Sequence, residues 1–259
     1  MTGTAMHDDD RNGDVLVFQH LAAETPGLVG RHLASAGLEL RVVEFDNGDP
    51  IPDLEGFDAL IVMGGPMDVW EEDVHPWLVA EKVAIRHWVE ELERPYLGVC
   101  LGHQLLAASL GGEVVPMKTP EIGVMQILLT DEGATDPLLG ALPSTFPGLQ
   151  WHHAAVVAVP PDSVVLAGNS HCSIQAFRTG SAAWGVQFHI EASAPEVALW
   201  GDIPEYRATL AASGNGDPSW MYRAVQAKAA AMESACAALS DELLGQIRVH
   251  RSVGRGPSR

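Results

Sequence analysis

At 259 residues, 47% of them hydrophobic, the chain is long enough to bury one large core, yet no apolar run reaches the length of a membrane span. Its 34 acidic residues against 15 lysines and arginines leave a net charge of −19, which argues against a nucleic-acid partner and suits a soluble protein. Three widely spaced cysteines make neither a disulfide framework nor a zinc-binding pattern, and Asp8-Asp9-Asp10 stands where a secretory signal would need apolar residues, so a cytoplasmic location is expected.

Residues 1–13 are polar and expected to be disordered. The run 15–18 reads as a first buried strand, ended by Gln19-His20. Pro26-Gly27 then opens a helix through Leu28, Leu33 and Ala36, with Gly37 as its cap. A second strand is predicted at 40–43, a turn-rich loop at 46–53 and a third strand at 59–63. Short apolar strands separated by helices imply a mostly parallel sheet covered on both faces, whose site lies at the carboxyl ends of the strands. Gly64-Gly65-Pro66 follows the third strand. It is either an ordinary loop or a place where a glycine N–H can approach a substrate with no side chain in the way. The loop 67–77 is rich in acids and aromatics, and Trp70 and Asp73 either border a pocket or belong to a solvated face. An amphipathic helix over 77–91 is stopped by Pro95.

The stretch 95–106 begins as a buried strand, turns at Gly98-Val99-Cys100-Leu101-Gly102 and continues as a helix. Small residues flanking a nucleophile let the backbone turn tightly and push one side chain outward, as in the elbow of serine hydrolases. A thiol at a helix N-terminus gains from the unpaired N–H groups there. Read alone, Cys100 is equally a buried structural cysteine. Cys172 and Cys236 have no motif around them and read as packing residues. Further strands are expected at 113–116, 123–129, 154–159, 164–167, 173–177 and 183–188, with a loop at Pro147-Gly148. They follow one another without long helices, so an antiparallel extension is expected. Adjacent His152 and His153 point to opposite faces of a strand and form no ready metal chelate. The last strand ends in His189-Ile190-Glu191. This pair could be a base and its orienting carboxylate, a surface pair, or two metal ligands.

Together the elbow Gly98–Gln104, the segment Phe188–Glu191 and Val62-Met63-Gly64-Gly65-Pro66 resemble class I (triad) glutamine amidotransferases over residues 14–200. The chain is most similar to free-standing members related to the glutaminase domain of GMP synthetase, a subgroup that includes plant-type gamma-glutamyl peptidases. The resemblance implies a flavodoxin-like α/β fold with a mostly parallel central sheet, helices on both faces, a small antiparallel extension and C-terminal helices. It implies Cys100 as nucleophile, His189 as base and Glu191 as its orienting acid. The N–H groups of Gly65 and Leu101 would form the oxyanion hole, and Gln104, Gly64, His152 and Trp151 would meet the substrate. No cofactor or metal is implied. One departure is visible: Ala154 stands where a Trp-His-x-Asp pattern would place its acid, which bears on strict glutamine specificity.

The implied activity is cysteine-dependent hydrolysis of the glutamine side-chain amide through a gamma-glutamyl thioester, giving glutamate and ammonia for a partner enzyme. The alternatives are a stand-alone gamma-glutamyl peptidase or amidase and a catalytically silent binding protein. No glycine-rich phosphate loop precedes a Lys-Ser or Lys-Thr, so any synthetase partner would be another chain. A helical extension is expected over 201–246, including helices at 204–212 and 220–244. It either packs on the domain or forms a homodimer surface. Residues 247–259, with Arg248, Arg251, Arg255 and Arg259, are expected to be a disordered basic tail.

Overall fold

A computed structural model describes residues 15–212 and 217–254. The expected disorder of 1–13 lies outside them. Nine strands form one sheet among the described residues: β1 (Val15–Gln19), β2 (Leu40–Glu44), β3 (Ala59–Val62), β4 (Tyr96–Val99), β5 (Glu113–Leu129), β6 (Thr145–Ala158), β7 (Ser163–Gly168), β8 (Ala176–Thr179) and β9 (Ala183–Val186). Their order is β2-β1-β3-β4-β9-β8-β7-β5-β6. The pairs from β2 to β9 are parallel, and those from β9 onward are antiparallel. This is the expected mostly parallel centre with an antiparallel extension.

The alternation of the central strands sorts the core into two layers. Val15 and Val17 of β1 face α1 (Gly27–Ser35) and α7 (Ala229–Gly254), and are buried with Val29, Leu33, Leu239 and Leu243. Leu16 and Phe18 face the other way, against α2 (Trp77–His87) and α3 (Leu101–Ser109), and are buried with Leu78, Ile85, Leu105 and Leu106. A third cluster forms where α4 (Ala194–Trp200), α5 (Pro204–Ala212) and α6 (Pro218–Gln226) cover the β5–β6 hairpin, around Leu149, Trp151, Trp200 and Tyr206.

Several boundaries differ from expectation. The strands expected at 113–116 and 123–129 are one, β5, because Pro116 sits where the register with β6 slips before Glu121, a place that tolerates a residue without an N–H. Pro147-Gly148 lies inside β6, paired with Gln126 and Met125. A β-carbon on Gly148 would come within 2.9 Å of both Ile127 and Phe188, so the glycine there serves close packing and not a turn. Strand β8 starts three residues late because Asn169 Oδ1 accepts the N–H groups of His171 and Cys172 and holds a turn ahead of it.

The helix expected over 220–244 is two, α6 and α7. The second runs through Gly254, so 247–254 is helical and not a disordered tail. Its inward residues Ala235, Leu239, Leu243 and Ile247 recur every four positions and bury against the sheet layer of β1 and α1. The C-terminal helices therefore pack on the domain. Residues 255–259, with Arg255 and Arg259, lie outside the described residues. No described helix is long and apolar enough to cross a membrane.

Candidate active site

The elbow is built from steric necessity. Cys100 follows β4 with φ 51° and ψ −101°, a conformation that side chains rarely adopt, and α3 starts at the next residue. A β-carbon on Gly98 would lie 2.4 Å from the Gly102 carbonyl oxygen, and one on Gly102 would lie 2.1 Å from that of Val62. Neighbouring strands pin the turn: the Cys100 N–H donates to Val186 O at 2.9 Å, the Gly102 N–H to Met63 O at 3.2 Å, and the Tyr96 hydroxyl to Gly102 O at 2.8 Å.

His189 lies beyond the end of β9, where its N–H donates to Leu149 O at 2.8 Å. Its Nδ1 is 2.8 Å from Glu191 Oε1, both side chains being buried. Among the described residues Nε2 has no other partner and is left to the Cys100 thiol. Burial alone would depress the imidazole, but the Glu191 carboxylate and Cys100 outweigh it and hold its pKa well above 6.5. The Trp200 indole packs edge-on against the ring, with centroids 4.6 Å apart. A side-chain amide touches the sulfur: Gln187 Nε2 donates to Cys100 Sγ at 3.6 Å, while Gln187 Oε1 accepts from Gln104 Nε2 at 3.1 Å.

The remaining candidates gather around this centre. Gly65 and Leu101 are neighbours, since a β-carbon on Gly65 would meet Leu101 Cδ2 at 2.9 Å, and among the described residues neither N–H donates to a backbone carbonyl. The loop that carries Gly65 is fixed by His20, whose Nδ1–H donates to Gly64 O at 2.8 Å while its Nε2 lies 2.9 Å from Glu81. Gly65, Cys100, Gln104, Trp151 and His152 all line one cavity of ≈ 20 Å³, roofed by Tyr206 and Thr209 of α5. Gln104 is buried, and its Nε2 also donates to Ala154 O at 3.1 Å. His152 is buried between Ala154 O and Glu121, at 2.8 and 2.9 Å, whereas His153 points outward to Asp68. His103, also in the elbow helix, is buried on Phe177 and its pKa is lowered to about 3 by burial, so it stays neutral. The described residues hold no group of three or more side chains suited to a metal ion. Trp70 and Asp73 lie exposed in the loop before α2, and neither lines this cavity.

Three residues at the site carry no motif. Gln187 is one. The others are Glu24, in the loop after β1, and Tyr206 of α5, whose hydroxyl donates to Glu24 Oε1. Glu24 Oε2 is buried without a partner among the described residues, and a β-carbon on Gly64 would lie 2.2 Å from it and 2.9 Å from His189 Cε1. Gly64 is therefore a gap that lets this carboxyl group approach the imidazole. Burial raises the pKa of Glu24 despite the opposing pull of His189 and Tyr206. A lone acid at the carboxyl end of a central strand was the only signal the sequence offered for it.

The family model for class I glutamine amidotransferases matches residues 27–197. The chain belongs to that family. It is similar to a glutamine-hydrolyzing GMP synthase subunit of Sulfolobus acidocaldarius, with 32% identity over 166 residues that span 63% of this chain and 82% of the relative. The same subunit from Saccharolobus solfataricus is 36% identical over 143 residues, 55% of this chain and 71% of the relative. A crystal structure of a glutamine amidotransferase from Methylobacillus flagellatus superposes with a TM-score of 0.80 at 27% identity, covering 90% of this chain and 95% of the other. One from Thermotoga maritima gives 0.80 at 24% identity over 90% and 98%, a likeness of fold. Within this amidotransferase the elbow, the Gly64-Gly65 loop and the His189–Glu191 pair all fall inside the matched span. Glu24 and Tyr206 fall just outside it, one at either end.

Proposed function

We propose that the protein hydrolyses the side-chain amide of glutamine through a gamma-glutamyl thioester on Cys100, releasing glutamate and ammonia for a separate acceptor enzyme. The observation that carries this reading is a cysteine on a strained elbow beside a buried imidazole whose far nitrogen is 2.8 Å from a buried carboxylate. His189, oriented by Glu191, takes the Cys100 proton, and the sulfur attacks the amide carbon. The N–H groups of Gly65 and Leu101 receive the oxyanion. The C–N bond breaks as His189 protonates the leaving nitrogen, and a water deprotonated by His189 then cleaves the thioester. Gln187 holds the sulfur in register, and Gln104, Gly64, Trp151 and His152 shape the pocket for the glutamyl part. No cofactor or metal enters these steps. The relatives are named as single subunits of a synthase, which supports an acceptor on another chain.

Glutamate and ammonia should appear in equal amounts when the purified protein is given glutamine, and Cys100→Ala should release neither. Glutamate release that survives in Cys100→Ala would refute the reading.

A second reading, hydrolysis of a larger gamma-glutamyl conjugate, is favoured by two observations. Ala154 removes the acid expected after Trp151-His152, and a much larger cavity adjoins the small one that Cys100 lines.

A further inference from the structure

Ammonia needs almost no room to leave, yet a cavity of ≈ 580 Å³ adjoins the small one at Cys100 and shares Pro66, Met67 and Glu205 with it. Its wall includes two near-parallel rings, Phe45 and Trp77, 5.0 Å apart with an interplanar angle of 3°, and His75 lies 5.5 Å from Trp77. Three carboxylates line the same space, Asp46, Glu71 and Glu205. Among the described residues no lysine or arginine lines it. Lys82, on the helix that carries Trp77, is spent on Glu72 and the Val69 carbonyl, and Arg207, beside Glu205, on Asp202. His20 reaches the cavity too. Its two ring nitrogens are taken up by the Gly64 carbonyl at 2.8 Å and the buried Glu81 carboxylate at 2.9 Å, so it is not free for a group in the cavity.

Phe45, Trp77 and His20 stack on one another, so the carboxylates without a cationic partner decide the preference: they favour a cation over a neutral group, and a neutral group over an anion. We infer that this cavity is the leaving-group subsite and takes a cationic amine. The substrate class is then a gamma-glutamyl amide of a diamine, or of another amine that carries a second, positive group. This rests on the proposed thioester chemistry at Cys100 and changes only what departs. The amide C–N bond breaks, the nitrogen leaves with the proton from His189, and the distal ammonium stays charged throughout. Gamma-glutamyl dipeptides are poorer substrates on this view, because the carboxylate of their second residue would enter a space already lined by acids.

The test compares three amides of similar length: gamma-glutamyl-1,4-diaminobutane, gamma-glutamyl-butylamide and gamma-glutamyl-4-aminobutyrate. The expected kcat/KM is about tenfold higher for the cationic amide than for the neutral one, and lowest for the anionic one. The double variant Asp46→Asn, Glu205→Gln should bring the cationic-to-neutral ratio close to one, and added salt should lower it in the parent. Binding of the same amides to Cys100→Ala, followed by calorimetry, reads the same order without turnover. Equal values for all three, or an anionic preference, would overturn the inference and leave the glutamine reading standing. Cys100-independent hydrolysis of glutamine would instead overturn the chemistry on which both depend.

Discussion

Gly98 and Gly102 leave no room for a β-carbon because backbone oxygens occupy the space on both sides of the elbow. Gly102→Ala is therefore expected to destabilise the protein by about 3 kcal/mol or to move Cys100 off its position, since backbone yields less readily than a side chain. Urea unfolding and thiol reactivity read the two outcomes separately. His189 makes a different prediction. It holds its proton more tightly in the folded protein than in the unfolded chain, because Glu191 and Cys100 outweigh burial. Its contribution to stability is thus complete below pH 6.5 and is lost as pH rises from there through the raised native value. Urea unfolding at about pH 6 and pH 9 should show the parent losing stability with rising pH, and His189→Asn should lose less. Some slope should remain in the variant, since His20 is raised as well. An unchanged slope in His189→Asn would contradict the environment described for the imidazole.

Helix α7 shows why an element's role can be hidden from its own residues. Its end is rich in arginine and reads as a tail, yet Leu239, Leu243 and Ile247 on its inner face complete the layer that covers Val15 and Val17. Leu239→Ala should cost about 2–5 kcal/mol, measured by urea unfolding, and a chain truncated after Trp200 should fail to fold. A truncated chain that stays soluble and cooperative would refute this role. The strands and helices around the motifs were readable because each has a local reason: an apolar run, a proline stop, a glycine pair that a tight turn demands. The β5–β6 hairpin was not, because Pro116 and Pro147 resemble breaks, and only the partner strand reveals that they are paired. Glu24, Gln187 and Tyr206 were invisible for a related reason. Their positions beside Cys100 and His189 arise from contacts that span up to 182 residues of chain. Among the residues that were predicted, His189 and Glu191 lie side by side, 2.8 Å apart, and Cys100 is near enough to His189 to help raise the pKa of the imidazole. Gln104 was expected to reach the substrate, and it also joins the amide chain that runs through Gln187 to the sulfur.

At the scale of the molecule, the fold of this class I glutamine amidotransferase brings three strand ends together and then roofs them with α5. Tyr206 and Thr209 of α5 line the narrow cavity at Cys100, so the Tyr206 ring limits the size of reagent that can reach the sulfur. Tyr206→Ala should therefore speed the reaction of Cys100 with a bulky thiol reagent, a change that Tyr206→Phe should not reproduce. The central claim is that Cys100 carries the glutamyl group. Radiolabelled glutamine, with the reaction quenched in acid after a few turnovers, tests it most directly. The label should stay on the protein, map to the peptide that contains Cys100, be released by hydroxylamine, and be absent in Cys100→Ala. Steady release of glutamate with no label on that peptide, or a label that persists in Cys100→Ala, would contradict it.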